Sequence, residues 1–316
     1  MKISVVIPSY NGQELLSRNL PKVISALAYT KAEKKIDSEI IVVNDGSSDQ
    51  TISFMEEFIK SHKDIQVILK DNKKNLGFSP TVNNGVREAS GEIVILLNTD
   101  VTPDKDFILP LLSYFDDERT FAVGCMDKSV ESDKIVLRGR GVGKWKEGYL
   151  KHSLGDLDKN DTLWVSGGSG AFRKSTWDRL GGLCELYKPY YWEDIDLSYR
   201  ALKAGYTIYF EKNSTVVHKH EEGVIKKTQS NKKVLEIVNR NQNIFTLLNA
   251  TDQDILLSFF LNLPRHILRA IKNKDWIFIT GLTKALLMLP QIISFRKKYQ
   301  RFVKVSDHEV IAKIQA

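Results

Sequence analysis

Short runs of branched apolar residues alternate with segments of helical periodicity along the first hundred residues of the chain. The runs predict strands and the periodic segments predict helices, at residues 2–8, 39–44, 65–69 and 93–97 for the strands and 13–29, 51–61 and 80–89 for the helices. Continuous apolar strands that alternate with helices form a mostly parallel sheet with helices on both faces. The pattern therefore predicts an α/β fold.

Polar stretches directly follow three of these predicted strands, at residues 8–12, 44–50 and 98–100. The carboxyl ends of parallel strands meet at one edge of the sheet, and α/β proteins bind ligands there. We therefore expect the three stretches to lie together and to form a binding site.

Beyond about residue 222 the pattern changes to long apolar segments of helical periodicity, at 254–271 and 276–295. This change divides the chain into a main domain, 1–222, and a basic, amphipathic helical region, 223–316. The second segment is long enough to cross a membrane. It contains Lys284 and Pro290, however, and a charge at the middle of a bilayer costs about 2.5–3.5 kcal/mol. We therefore expect that it does not span a membrane.

The positive charge of the chain lies in the C-terminal region. Residues 223–316 carry a net charge of +10, whereas residues 1–222 carry −3. The two C-terminal segments either pack on the main domain or lie on an anionic membrane surface, and the basic excess favours membrane contact through residues 254–301. Because aliphatic residues separate the basic ones, we expect no nucleic-acid partner.

Cysteine content and the N-terminus indicate a cytoplasmic protein. Cys125 and Cys184 are too few for a disulfide framework and indicate a reducing compartment. The apolar run that begins MKISVVIP is too short for a signal peptide.

Acidic and amide side chains at the strand ends are candidates for chemistry. Asp45, in VNDGSSDQT, either belongs to a well-capped turn or accepts hydrogen bonds from a nucleobase or ribose. Asn98 and Asp100, in NTD, offer oxygen ligands of the kind that a divalent cation prefers while it also binds a diphosphate. His218 ends a further short strand, predicted at 215–217, and is a candidate ligand at the same edge.

The stretch YYWEDID precedes a predicted helix at 196–204. Acids at a helix start often only complement the helix dipole. Alternatively, one of them is a general base, with Tyr190, Tyr191 and Trp192 as a platform for a sugar ring. Three aromatic side chains beside three acids exceed what a cap requires.

Seven motifs in this order closely resemble family 2 glycosyltransferases, which are inverting enzymes of the GT-A fold. They are IPSYN, VNDGSSDQT, NLGFSPTVNNG, GEIVILLNTDVTP, GGSGAFRK, WEDIDLSYRALKAGY and VVHKHE. The nearest subgroup resembles the rhamnosyl- and galactofuranosyl-transferases. The resemblance covers about residues 1–245 and implies that residues 1–222 form the catalytic domain.

The resemblance also implies roles for individual residues. Those implied to bind the nucleotide and the donor are Pro8, Tyr10, Asn11, Asp45, Asn75, Gly77, Asn83, Asn98, Asp100 and, from a late Arg240-Asn241 pair, Arg240. Asp194 is implied as the catalytic base with Glu193 beside it, and Gly167 and Gly168 are implied on the acceptor side. The aromatic platform places Tyr191 and Trp192 on the acceptor side as well. Asp100 and His218 are implied as ligands of Mg²⁺ or Mn²⁺. The family's first metal-site aspartate is here Asn98, which removes one formal charge from that site.

The expected activity is transfer of a sugar from a UDP- or dTDP-linked donor to a hydroxyl of a saccharide or lipid-linked saccharide in cell-surface glycan assembly. The expected location is the inner face of the cytoplasmic membrane. The alternative is a scaffold that binds a nucleotide sugar without transferring it. Asp194 argues against a scaffold, because a protein that only binds its ligand needs no base.

Overall fold

A computed structural model gives the fold of the protein, and it describes residues 1–131, 134–219, 222 and 229–314. The strands are β1 (Lys2–Ser9), β2 (Asp37–Asn44), β3 (Gln66–Asp71), β4 (Ile93–Leu97), β5 (Val101–Pro103), β6 (Thr120–Glu131), β7 (Lys134–Arg138), β8 (Gly141–Lys146), β9 (Tyr149–Leu154), β10 (Ser169–Arg173) and β11 (Thr207–His218). Nine of them form one sheet in the order β3-β2-β1-β4-β10-β6-β11-β5, with β7 beside β6. The strands β8 and β9 form a separate hairpin.

Six of the nine strands of the large sheet run in one direction, and β5, β7 and β10 run opposite to them. β1 pairs in parallel with β2 and β4, β2 with β3, and β11 with β6. β10 runs antiparallel between β4 and β6, and β5 antiparallel to β11. The mostly parallel sheet expected from the sequence is confirmed, and the sequence pattern locates β4 at its observed bounds.

Helices cover both faces of this sheet. They are α1 (Gln13–Lys34), α2 (Thr51–Ser61), α3 (Phe78–Glu88), α4 (Leu109–Leu112), α5 (Lys174–Leu180), α6 (Glu193–Lys203), α7 (Asn231–Asn249), α8 (Gln253–Lys272), α9 (Trp276–Leu287), α10 (Leu289–Gln300) and α11 (Asp307–Lys313). Successive residues of a strand point to opposite faces, so Val5 and Val6 of β1 enter two different apolar cores. Both residues are fully buried, as a sheet between two helical layers requires.

The C-terminal helices differ from the expectation in one respect. Residues 276–295 do not form one helix, because α9 ends at Leu287 and α10 begins at Leu289 with Pro290 in its first turn. Proline has no N–H to donate and its ring clashes with the preceding turn, so the chain bends there by 64°. Among the described residues no single helix is long and apolar enough to cross a membrane, and only this bent pair reaches such a length and composition together.

The C-terminal helices pack on the sheet domain. One apolar core contains Val6 of β1 together with Phe245 of α7, Ala285 of α9 and Val310 of α11. The division of the chain at residue 222 stays a prediction.

Candidate active site

The loops that follow β1 and β2 are bonded to each other at one edge of the sheet. The Asp45 N–H donates to the Ser9 carbonyl (2.8 Å). The Asn11 carboxamide oxygen accepts the Ser48 N–H (2.8 Å), and the Asn11 N–H donates to the Ser47 hydroxyl (2.8 Å). The two polar loops that the sequence assigned to one edge therefore form one structure. Pro8 and Tyr10 lie beside them, half-buried at the end of β1.

Asp45 anchors the loop between β3 and α3. Its carboxylate accepts the N–H groups of Leu76 (2.9 Å) and Gly77 (3.0 Å) and the Asn72 amide (3.0 Å). The role that the structure gives Asp45 is thus to hold the loop that carries Asn75 and Gly77. Its Oδ2 atom accepts only one of these three bonds, which leaves it capacity for another donor.

Gly46 permits the close contact between these two loops. Its φ angle of +70° lies in the left-handed region, and a Cβ atom there would stand 2.5 Å from the Lys74 backbone. A larger residue would thus strain the backbone and push the Asn72–Gly77 loop away from Asp45.

Three residues form the candidate metal site, one in the turn before β5, one in β6 and one at the end of β11. Asp100 lies immediately before β5, and β11 places His218 against β5 and β6. The His218 Nε2 atom lies 3.4 Å from the Asp100 carboxylate, and its Nδ1 atom lies 3.0 Å from that of Asp127. Burial disfavours the charged imidazole, but the hydrogen bonds to Asp100 and Asp127 outweigh it and raise the pKa of His218 to about 9.

The arrangement around His218 fits a divalent cation. A carboxylate oxygen and an imidazole nitrogen point toward each other, as two ligands of one ion would. A metal-binding histidine usually donates its other N–H to a carboxylate, and Asp127 provides that carboxylate. The predicted pairing of Asp100 with His218 is thus brought together by the fold.

Asp127 was not among the site residues predicted from the sequence. It lies in β6 within FAVGCMD, where an acid follows an apolar run. Asp45 and Asp100 were selected by the same signal, so Asp127 could have been found by applying that rule beyond residue 100.

The loop before β10 joins the two halves of the site. The Gly168 carbonyl accepts the Asn98 N–H at the end of β4 (2.9 Å). The neighbouring Gly167 N–H points to the Asp194 carboxylate at 3.4 Å, a long hydrogen bond. A Cβ atom on Gly168 would stand 2.7 Å from the Asn98 amide nitrogen, so only glycine fits without displacing that side chain.

The candidate base lies in the first turn of α6, which begins at Glu193 and not at residue 196 as expected. The Asp194 carboxylate accepts the Ile195 N–H (2.8 Å). Burial raises the pKa of Asp194, while the N–H groups of Ile195 and Gly167 oppose that shift. Burial, and then the neighbouring Asp194, raise the pKa of Glu193 well above its usual range. Two adjacent carboxyl groups with raised pKa values are typical of proton-transfer sites.

The turn before α6 has an unusual backbone that α7 holds. Tyr191 and Trp192 both adopt left-handed conformations, with φ angles of 72° and 76°. The Asn241 amide donates to the carbonyls of Tyr187 (3.0 Å), Tyr190 (2.9 Å) and Tyr191 (2.8 Å). Conformations of this kind persist only where the surroundings impose them, and they cluster at functional sites.

The side chain of Trp192 does not belong to an exposed sugar platform, and that part of the acceptor-side prediction is wrong. Trp192 is only 4% exposed and packs against Phe245 and His152. A large apolar ring gains more from burial in the core than from exposure at the surface. Tyr191 is exposed and stays an acceptor-side prediction.

Two predicted donor residues hold protein backbone in this structure. The Arg240 guanidinium donates to the Tyr187 and Lys188 carbonyls. The Asn83 carboxamide both donates to and accepts from the Leu183 backbone (2.9 Å each). Direct contact of either residue with the donor stays a prediction.

A separate group of possible ligands lies in the C-terminal helices. Within the described part of the chain, Asp252, Asp254 and His308 bring one ligand atom each close together. The His308 Nε2 atom is hydrogen-bonded to the Asp254 carboxylate (2.7 Å), and the backbone N–H of His308 donates to the Asp252 carboxylate (3.0 Å). An ion pair and a hydrogen bond to the first turn of α11 account for this group.

The sequence matches a known family over more than half of its length. The family model described as "Glycosyl transferase family 2" matches residues 4–180. The chain is 30% identical over 224 residues to the probable glycosyltransferase YdaM of Bacillus subtilis (strain 168), covering 66% of this chain and 48% of YdaM. It is 26% identical over 225 residues to the O-antigen chain rhamnosyltransferase RfbN of Salmonella typhimurium, covering 70% of this chain and 67% of RfbN. It thus spans only about half the length of YdaM.

Comparison with solved structures confirms the predicted fold. GalNAc-T7, solved with UDP, GalNAc and Mn²⁺, superposes with a TM-score of 0.62 at 18% identity, covering 84% of this chain and 50% of that one. The protein therefore has a GT-A fold with a helical C-terminal part.

Proposed function

The chain belongs to glycosyl transferase family 2, and we propose that it transfers a sugar from a UDP- or dTDP-linked donor to a hydroxyl group of a saccharide or lipid-linked saccharide. The observation that carries the proposal is that the loop before β10 contacts both the strand-end residue Asn98 and the proposed base Asp194. Gly168 bonds Asn98 at the donor edge, and Gly167 lies beside Asp194. A donor at the strand ends and a base at α6 would thus face a common space.

In the proposed reaction Asp194 takes the proton of the acceptor hydroxyl. The oxygen of that hydroxyl forms a bond to the anomeric carbon while the bond from that carbon to the diphosphate oxygen breaks, with its electron pair leaving on the diphosphate. A single displacement from the opposite side inverts the anomeric configuration. The raised pKa of Asp194 suits this role, because a base works best when its pKa approaches the working pH.

Asp100 and His218 would hold Mg²⁺ or Mn²⁺, with Asp127 orienting the imidazole. A bound divalent cation would supply positive charge against the departing diphosphate. The presence of Mn²⁺ and UDP together in the GalNAc-T7 structure supports this assignment. Asn98 contributes an amide to this edge, and the two carboxylates in contact with His218 are those of Asp100 and Asp127.

The acceptor and the location complete the proposal. The name of RfbN, an O-antigen chain rhamnosyltransferase, supports a cell-surface polysaccharide as the product. The two unpaired, buried thiols of Cys125 and Cys184 support a reducing compartment. We place the enzyme in the cytoplasm at the inner face of the membrane, where a lipid-linked acceptor would be within reach.

The donor site is tested by calorimetric titration with UDP, dTDP and GDP, each with Mn²⁺ and again with excess chelator. We expect metal-dependent binding of UDP or dTDP. Asp100→Ala should weaken this binding only when Mn²⁺ is present. Equal weakening in chelator would show that Asp100 is not a metal ligand.

The base is tested by Asp194→Asn, with Asp178→Asn as a control because Asp178 is exposed and, among the described residues, its carboxylate pairs with Lys174 at the protein surface. Loss of a general base should slow transfer about 100- to 10,000-fold, while affinity for the diphosphate stays within about twofold. A loss of affinity as large as the loss of rate would overturn the assignment. Wild-type protein that binds a donor and transfers no sugar to membrane extracts would favour the scaffold.

A further inference from the structure

The helix α8 has an apolar stripe that the rest of the described chain leaves exposed. The exposed apolar residues recur at intervals of three, four and seven, namely Leu257, Phe260, Leu261, Leu268 and Ile271. At 3.6 residues per turn they form one stripe about 100° wide. The most exposed are Leu261, at 70%, and Leu268, at 68%.

A different face of α8 attaches the helix to the protein. Phe259 is buried, and a Cβ atom on Gly148 would stand 2.2 Å from the Phe259 backbone, so the β8–β9 hairpin touches the helix directly. Tyr149 of the hairpin packs edge-on against Phe259 and donates its hydroxyl to Asn243 of α7 (3.0 Å). The exposed stripe is thus not a missing core contact, because α8 has a second apolar face for that purpose.

Basic side chains border the stripe on one side. Arg265, Arg269 and Lys272 lie next to it on the helix, and Lys274 follows in the loop. All four are exposed, and in the part of the chain that the structure describes no carboxylate pairs with them. Trp276 begins α9 beside this loop and is also exposed.

We propose that the stripe of α8, with its basic border and Trp276, docks in the plane of a lipid bilayer that carries anionic headgroups. Apolar side chains on one face and Lys or Arg at the border are the signature of an interfacial helix. Tryptophan favours the boundary between hydrocarbon and water. The charge balance fits this occupant, since the C-terminal region carries +10 and the remainder −3.

Charge also makes a second copy of the chain a poorer partner for this surface. Two such surfaces would bring the four unpaired cations of one copy close to those of the other, and like charges repel. An anionic bilayer instead neutralises all four. The proposal specifies how the proposed location is reached and is independent of the transfer chemistry.

The test is co-sedimentation of the full chain with vesicles of phosphatidylcholine alone and of phosphatidylcholine with phosphatidylglycerol. Wild-type protein should bind the anionic vesicles more tightly. Phe260→Glu with Leu261→Glu should weaken binding about tenfold or more, because both side chains leave the apolar phase. Arg265→Gln with Arg269→Gln should weaken binding to anionic vesicles about 25-fold and leave binding to neutral vesicles unchanged.

Matched controls lie on β7 and the N-terminal helices. Ile135→Glu changes an apolar side chain as exposed as those of the stripe, and Lys22→Gln with Lys60→Gln removes two exposed cations elsewhere. These variants should bind vesicles like the wild type. Thermal denaturation confirms that each variant is folded.

Three outcomes would overturn the proposal. They are no binding of wild type to anionic vesicles, equal weakening by the control variants, and a concentration-dependent dimer that the stripe variant abolishes, which would assign the stripe to a second copy. None of them bears on sugar transfer, whose own test is the Asp194→Asn variant with soluble donor. The two proposals can therefore fail separately.

Discussion

Asn241 offers a direct test of whether α7 positions the proposed base, Asp194. Its side chain is fully buried and its amide faces the carbonyls of Tyr187, Tyr190 and Tyr191. The last of these carbonyls belongs to the left-handed turn from which α6 starts. Asn241→Ala removes the donor and leaves the turn without its anchor.

The expected loss of stability follows from the bonds removed. The amide nitrogen has two N–H groups and donates at most two full hydrogen bonds, while the amide oxygen accepts from the Arg240 guanidinium (2.7 and 2.9 Å). Each hydrogen bond has a net value of about 1 kcal/mol. Carbonyls left buried without a donor add to this cost, and we expect Asn241→Ala to lower the free energy of unfolding by about 2–4 kcal/mol. Urea denaturation measures this value, and the slope of the free energy of unfolding against urea concentration should stay unchanged.

The expected loss of rate comes from the position of Asp194. Left-handed conformations of residues other than glycine cost about 1–3 kcal/mol each, so Tyr191 and Trp192 should relax once Asn241 is gone. Asp194 lies two residues further on. A displacement of about 1 Å can cost about 100-fold in rate, so we expect the turnover rate to fall about 10- to 100-fold with little change in diphosphate affinity.

Asn243 provides the matched control. It lies on the same helix and is equally buried, but its carboxamide bonds Tyr149 of the hairpin and its own helix. Asn243→Ala should destabilise the protein by about 1–3 kcal/mol and change the turnover rate by less than about threefold. Equal losses of rate in Asn241→Ala and Asn243→Ala would refute the positioning role, because they would reflect general destabilisation.

Four further predictions follow from single contacts. Asp307→Ala removes the carboxylate that pairs with the buried Lys203 ammonium, so the free energy of unfolding should fall by about 3–5 kcal/mol in chemical denaturation. A fall below about 1 kcal/mol would contradict the pairing. Gly168→Ala pushes the Asn98 amide aside, so transfer should fall about tenfold while the melting temperature hardly changes, and an unchanged rate would deny that the loop needs glycine. Asp127→Asn should weaken Mn²⁺ affinity about 10- to 100-fold in calorimetry, and unchanged affinity would remove Asp127 from the metal site. Transfer should fall as pH drops through the raised pKa of Asp194, because only the carboxylate accepts a proton, and a rate that rises on acidification would exclude this base.

The parts of the fold that depend on local periodicity were predictable. The strands β1, β2 and β4 are continuous apolar runs, and their parallel pairing follows from the helices between them. This pairing suffices to bring the loops of Asn11 and Asp45 together. Sequence resemblance then assigned Asp194 and His218, and the structure places each beside other candidate residues.

Contacts that depend on distant pairing were not predictable. Asp127 meets His218 because β6 pairs with β11, and no local pattern encodes that register across 91 residues. The hydrogen bonds of Asn83 to Leu183, 100 residues away, have the same cause. Trp192 was misjudged because an aromatic residue beside acids fits a sugar platform and a buried core equally well.

Hydrogen bonds of the loop between β3 and α3 connect Asp45 to the turn before α6. Asp45 accepts the Gly77 N–H, and the next residue, Phe78, donates its N–H to the Pro189 carbonyl (3.1 Å). Pro189 lies in the same segment as the carbonyls that Asn241 binds. A ligand that moves the Asn72–Gly77 loop would therefore act on the segment before α6, which α7 also holds. The boundary at residue 222 stays a prediction for folding units, but the candidate active site draws on residues from both sides of it.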